Sequence, residues 1–217
     1  MLSKWFDRQP ASSGSVVPQA PVGPRVPRHS GAWAALRKLL TTTSGLRVLD
    51  VGVTSPSNIN YLTSLGHSVY MADLIEDALN GGWRKGEDED GKPVWDAEGY
   101  CRQNLDFSGR VFDIVLLWTT LDYLPEPLML PVVQALHAAM APGGQLLALF
   151  QTKLQPENSQ RHRFHLTDRD DVEFQVTFPA PQLRALTNRN IERLFTGWPG
   201  LKQFLAKDGV SEAILTR

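Results

Sequence analysis

From Gly31 onward the apolar positions follow two rhythms. Trp33, Leu36, Leu39 and Leu40 recur at helical spacing up to the break at Thr41-Thr42-Thr43-Ser44-Gly45. LRVLDVG follows, a short apolar run closed by a glycine turn, which predicts a buried strand. Asn58 to Leu65 returns to helical spacing, with Ile59, Leu62 and Leu65 inward and Gly66 past its end. HSVYMAD predicts a second strand, Glu76 to Ala78 a short helix, and GGWRKGEDEDGKPVWD a charged, glycine-rich loop. YCRQNLDF predicts a third, short strand. FDIVLLWTT is apolar on both faces, as expected of a central parallel strand covered by helices. Leu128 to Met140 predicts a helix stopped by Pro142-Gly143-Gly144, and QLLALFQ a further strand.

Beyond residue 151 the texture turns polar. LQPENSQRHRFHLTDRDDVEF is expected to be an inserted loop or a strand pair, and Asn188 to Phe195 a short amphipathic helix. In LKQFLAKDGVSEAILTR, Asp208-Gly209 between apolar runs is a hairpin signal. The expected fold is α/β, a doubly wound, mostly parallel seven-stranded sheet with an antiparallel C-terminal strand pair and helices on both faces. The expected organisation is a Pro-rich tail over residues 1–30 and one domain over 31–217. Prolines 10, 18, 21, 24 and 27 each remove a donor and disfavour helix before them, so a polyproline-like, poorly ordered leader is expected there rather than a strand. The other reading of that leader is a docking peptide for a groove on a partner; separately, Trp5 and Phe6 give Met1–Phe6 apolar side chains that could dock.

Composition narrows the class. Hydrophobic residues are 42% and charged residues 21% of 217, ordinary globular usage. A formal net charge of −1 gives no global field for nucleic acid or anionic lipid. The basic residues Arg161, Arg163, Arg169, Arg184, Arg189 and Arg193 interleave with acids, so no nucleic-acid partner is expected. Cys101 is the sole cysteine, which excludes an internal disulfide and a multi-cysteine zinc site. No apolar run approaches the ~20 residues needed to span a bilayer, and the first residues lack a secretory pattern. The expectation is a cytoplasmic protein with a small-molecule partner and no metal. Oligomeric state has no signal in the sequence.

In doubly wound sheets ligands bind at the carboxyl ends of the strands, near the switch in strand order. The first strand ends in Asp50-Val51-Gly52-Val53-Thr54-Ser55-Pro56. Gly52 permits a sharp turn and close ligand approach, and Ser55-Pro56 is a helix start whose free N–H groups face an anion. Asp73 closes the second strand, about 20 residues beyond that turn, where an acid accepts from ribose hydroxyls. The third expected strand ends in Asn104-Leu105-Asp106, and the central one in Trp118-Thr119, followed by Asp122-Tyr123.

The stretch from Leu46 to Phe150 resembles the class I (Rossmann-like) S-adenosylmethionine-dependent methyltransferases. RVLDVG, GHSVYMADL, FDIVLLWTTLDYLPEP and LHAAMAPGGQLLALF carry the likeness, and the final strand pair resembles that family's reversed last strand. The resemblance implies a transferase with S-adenosylmethionine as cofactor. By position, Asp50 and Gly52 would line its methionine part, Asp73 would hold the ribose, and Leu74 would touch adenine. Asn104, Leu105 or Asp106 would meet the adenine edge, and Trp118 and Thr119 would sit near the methyl group. The family's first loop usually has three alternating glycines. Here only Gly52 matches, with Thr54 and Pro56 in the other two places. A Cβ at Thr54 narrows the loop, although its hydroxyl can replace a lost contact, and Pro56 removes one amide.

With a cofactor that carries an activated methyl, the protein's task is alignment, aided by an optional base. Asp122, Tyr123, His162 and His165 are the candidate bases, the last two lying where such folds build a substrate lid. The reading is a methyltransferase acting on a small-molecule acceptor. The alternative, motivated by Thr54 and Pro56, is an inactive binding or scaffold module that has lost the cofactor. A nucleotide-dependent oxidoreductase is a third reading, but its fingerprint wants glycine at 52, 54 and 57, where Gly52, Thr54 and Ser57 stand.

Overall fold

The computed structural model describes residues 23–154, 159–204 and 208–217. Its elements in chain order are β1 (Arg25–His29), α1 (Gly31–Thr42), β2 (Arg47–Val51), α2 (Pro56–Ser64), β3 (Ser68–Ala72), α3 (Leu74–Asn80), β4 (Arg84–Glu87), β5 (Pro93–Trp95), α4 (Ala97–Asn104), β6 (Phe112–Trp118), α5 (Thr120–Tyr123), α6 (Glu126–Ala138), β7 (Met140–Gln151), β8 (Gln160–Leu166), β9 (Asp171–Pro179), α7 (Asn188–Leu194), β10 (Gly200–Phe204) and β11 (Val210–Thr216).

The central sheet has six strands in the order β10-β11-β7-β6-β2-β3. β3, β2, β6 and β7 run parallel, and β11 and β10 add an antiparallel pair. The seventh strand expected at YCRQNLDF is instead α4. Asp96 caps that helix by accepting from the Gly99 N–H at 2.8 Å. Its buried Tyr100 packs edge-on to Trp83 and donates to the Leu74 carbonyl. A cap plus one anchored aromatic ring outweighs the short apolar run. The charged loop after α3 contains a hairpin, β4–β5.

Apolar side chains of the central strands alternate between two cores. Leu49, Val51, Val115 and Leu117 pack beneath α4, α6 and α7. Val48, Ile114 and Leu116 pack beneath α1 and α2. Trp33, Leu36 and Leu40 of α1 are fully buried there, each leucine stabilising by roughly 1.5–3 kcal/mol.

A second sheet, β1-β9-β8, is antiparallel. The polar stretch after β7 is therefore a strand pair, whose residues 155–158 lie outside those described. The expected tail is described only from Gly23. Its last residues form β1, an edge strand, where Pro27 costs no ladder bond on its outer side. Prolines 10, 18 and 21, Trp5 and Phe6 lie outside the described residues. The C-terminal hairpin is as expected, with Gly209 at φ +82° and Lys207 outside the described residues. Among the described residues no helix is long and apolar enough to cross a membrane.

Candidate functional site

The strand order reverses between β2 and β6, so the candidate site lies at their carboxyl ends. Gly52 and Val53 come from the first loop, and Trp118, Thr119 and Thr120 from the end of β6. Tyr123 and Ile75 flank them, and Arg161, His162 and Phe164 of β8 face them across a cavity of only about 10 Å³. Small-molecule sites typically measure ~300–1,000 Å³. β8 fills this one.

Three contacts close it. Arg161 grips both carboxylate oxygens of Asp73 at 2.7 and 2.8 Å, and its side chain is 3% exposed. Asp73 also caps α3 by accepting from the Ile75 N–H at 3.1 Å. Phe164 stacks flat on Trp118, with ring centroids 4.8 Å apart. Trp118 carries φ +51° beside a register shift in the β6–β7 pairing. That left-handed backbone, rare for an aromatic residue, turns the indole over Gly52, where a Cβ would stand 3.2 Å from Trp118 Cδ1. The space left by the glycine thus receives a tryptophan of the same chain.

The third contact joins β8 to the start of α2. His165 Nδ1 lies 2.8 Å from Ser55 Oγ and 2.9 Å from Ser57 Oγ, and Nε2 lies 3.0 Å from Gln175 Oε1. Gln175 Nε2 donates to the Gly23 carbonyl, so its oxygen accepts from His165 Nε2–H, and Nδ1 accepts from a serine hydroxyl. Burial lowers the pKa of His165, favouring this neutral form. Asn58 completes the junction: its Nδ2 donates to Asp50 and to the Phe164 carbonyl at 3.0 Å each, and its Oδ1 accepts from the Leu166 N–H at 2.7 Å.

Asp50 is buried, accepting from Asn58 and from Trp118 Nε1 at 2.6 Å. Burial raises its pKa, opposed by those two donors. Its carboxylate is committed to the chain's own side chains. Thr54 is exposed and, like Pro56, lies outside the cavity lining, so the narrowing comes from β8 and Trp118. Leu74 and Leu105 are buried in the core. Asn104 donates to Asp77 at 2.7 Å, and exposed Asp106 accepts from the Ser108 N–H. Residues 104–106 end a helix and do not line the cavity.

Of the expected bases, His162 lines the cavity, packs against Phe164 and Phe174, and has its pKa lowered by burial. Tyr123 donates to the Gln160 carbonyl at 2.9 Å and accepts from Gln151 Nε2, and burial pushes its hydroxyl up to about 12. Asp122 does not line the cavity. It is fully buried, accepts from the Gln151 N–H at 2.8 Å through Oδ2, and leaves Oδ1 without a partner among the described residues. Burial pushes it up to about 8. His165 serves the α2 junction. The structure therefore gathers Gly52, Trp118, Thr119, Tyr123 and His162 at the cavity, and leaves Asp122, Asn104, Leu105 and Asp106 outside it.

Arg161, Phe164, Asn58 and Gln175 do not stand out in the sequence. The one available signal is an arginine in the segment expected to form a lid, opposite a strand-end acid.

The residues expected to hold S-adenosylmethionine do not fit it in this geometry. Asp73, expected at the ribose, is paired with Arg161, the space over Gly52 holds an indole, and the α2 start, expected to face an anion, is engaged by His165. Among the described residues, no cluster of three or more histidine, cysteine or acidic side chains is placed to hold a metal.

Comparison with known proteins gives the family. Among solved structures, TehB from Haemophilus influenzae matches 87% of this chain at 14% identity and a TM-score of 0.49, and the chain spans 62% of that protein. PH0226 from Pyrococcus horikoshii matches 84% of this chain and 88% of its own length at 16% identity and a TM-score of 0.47. NodS, an N-methyltransferase from Bradyrhizobium japonicum solved with S-adenosyl-L-homocysteine, matches 86% of this chain and 85% of its own length at 14% identity and a TM-score of 0.46. No curated protein matches the chain. A family model described as a methyltransferase domain covers residues 28–197, and on that match the chain belongs to the methyltransferase-domain family.

Proposed function

We propose that this chain is a methyltransferase-fold binding module whose cofactor cleft is held shut by β8, and that it works by binding rather than by methyl transfer. The observation that carries this is the Arg161–Asp73 pair, one guanidinium nitrogen on both carboxylate oxygens, together with the Trp118–Phe164 stack. Opening the cleft breaks a charge-assisted pair, an aromatic stack and the Asn58 and His165 links. At ~1 kcal/mol per neutral hydrogen bond, ~1.5–3 for the charged pair and ~0.5–1.5 for the stack, the cost is roughly 5 kcal/mol. A site competent in only that fraction of molecules binds about 10³- to 10⁴-fold more weakly than when open. A micromolar ligand becomes a millimolar one.

The second reading is a transferase acting on a small-molecule acceptor with S-adenosylmethionine as cofactor. It is favoured by family membership and by the positions of Gly52 and Asp73 at their strand ends. Titration calorimetry of the full chain with S-adenosyl-L-homocysteine separates the two. The binding-module reading expects no heat of binding below millimolar ligand in a folded sample, and weak binding to emerge in Arg161→Ala. Low-micromolar binding by the unaltered chain overturns it in favour of the transferase.

A further inference from the structure

A larger cavity, about 500 Å³, opens between α6, residues 183–186 and α7, and shares no lining residue with the closed cleft. We propose that it binds an amphipathic small-molecule carboxylate, with the anion on Arg184 and the hydrocarbon body along the leucine wall.

Charge is the first ground. Arg184 is half-buried, and among the described residues no carboxylate lies within 4 Å of it or of Arg193, which also lines the cavity. The acceptor it has is the Met129 thioether, a weak one for a five-donor guanidinium. Burial lowers its pKa, and Glu126 and Asp122 attract it only at longer range. Glu126 sits on the exposed rim. Asp122 is not within ion-pair distance of Arg184, and its burial favours the neutral carboxyl. A planar, partly desolvated guanidinium whose one acceptor among the described residues is a thioether matches a carboxylate.

The wall is the second ground. Met129, Leu130, Leu183, Leu186 and Leu194 line one continuous cavity, and Leu130 and Leu183 stand 48% and 37% exposed at its mouth. The volume lies within the range of small-molecule sites. Asn190 adds one neutral polar group beside Arg193. An apolar wall with two cations among the lining residues suits a chain-bearing anion better than a uniformly polar one. The site stands whether or not the cleft admits a cofactor.

The test is calorimetric titration of the full chain with octanoate, octan-1-ol and acetate. Octanoate is expected to bind saturably at one per chain, with the alcohol and acetate at least tenfold weaker. Arg184→Met should weaken octanoate about 10- to 100-fold while leaving octan-1-ol unchanged. Arg193→Gln should weaken it less, and Arg184→Lys should retain part of the affinity, which keeps the test open if Arg184→Met fails to fold. Equal binding of octanoate and octan-1-ol, or unchanged octanoate affinity in the folded Arg184 variants, overturns the proposal. Asp73→Ala should leave octanoate binding untouched, so failure here is distinct from failure of the cleft reading.

Discussion

Replacing Asp122 with asparagine should stabilise this protein increasingly as pH rises. The carboxyl is fully buried, and its folded-state pKa is pushed from an ordinary 3.8 to about 8 by desolvation, against one backbone donor and the distant Arg184. Between those values the folded chain holds a proton that the unfolded chain has released. Stability from this group is therefore full below about pH 4 and is lost as pH rises through about 8. The slope is about 1.4 kcal/mol per pH unit, or about 3 kcal/mol between pH 5 and pH 7. At ~2–4 °C per kcal/mol for a domain this size, that is a Tm difference of about 6–12 °C. The substituted amide would still accept from the Gln151 N–H and carry no charge. The lowered pKa values of His162, His165, Asp113, Asp170 and Asp208 act with the opposite sign, but they titrate in both proteins and cancel in the difference. Urea unfolding of both proteins at pH 5, 6, 7 and 8 measures it. A difference that stays flat across that range refutes the buried, protonated carboxyl.

Two further substitutions probe the junctions. Asn58→Ala leaves the Asp50 carboxylate, the Phe164 carbonyl and the Leu166 N–H each short of a partner. It should cost about 3–5 kcal/mol by denaturant midpoint, and a loss under about 1 kcal/mol would mean water replaces the amide freely. Arg28 bridges Asp208 and Glu212, the latter 2% exposed and also bonded by Ser30 and Ala32. Arg28→Ala strands a buried carboxylate and should cost about 3–5 kcal/mol. The Arg28→Met, Glu212→Leu double variant should recover most of it in the same assay.

The central sheet is legible in the sequence because its signals are local. β2, β6 and β7 are apolar runs bounded by turns, and Asp208-Gly209 declares its hairpin. α4 is harder, because Tyr100 and Leu105 suggest a strand until the Asp96 cap is given weight. β1 is hidden by Pro27, which an edge position tolerates. The strand-end positions of Asp50, Gly52 and Asp73 are legible too, but the company they keep is not. Arg161 lies 88 residues from Asp73, and the indole of Trp118 reaches Gly52 only through a backbone conformation that no residue pattern encodes. Contacts between distant segments decide whether a cleft is open, and a periodicity argument does not reach them.

The β1-β9-β8 sheet ties the first described residues to the α2 start in a short relay. The Gly23 carbonyl holds the Gln175 amide, that amide fixes His165, and the imidazole accepts a serine hydroxyl. Residue 23 is thus joined to the helix start through three side chains. The strand that bars Asp73 is therefore bonded both to the helix start and to the outer edge of its own sheet, so a substitution at Gln175 would loosen two ends at once.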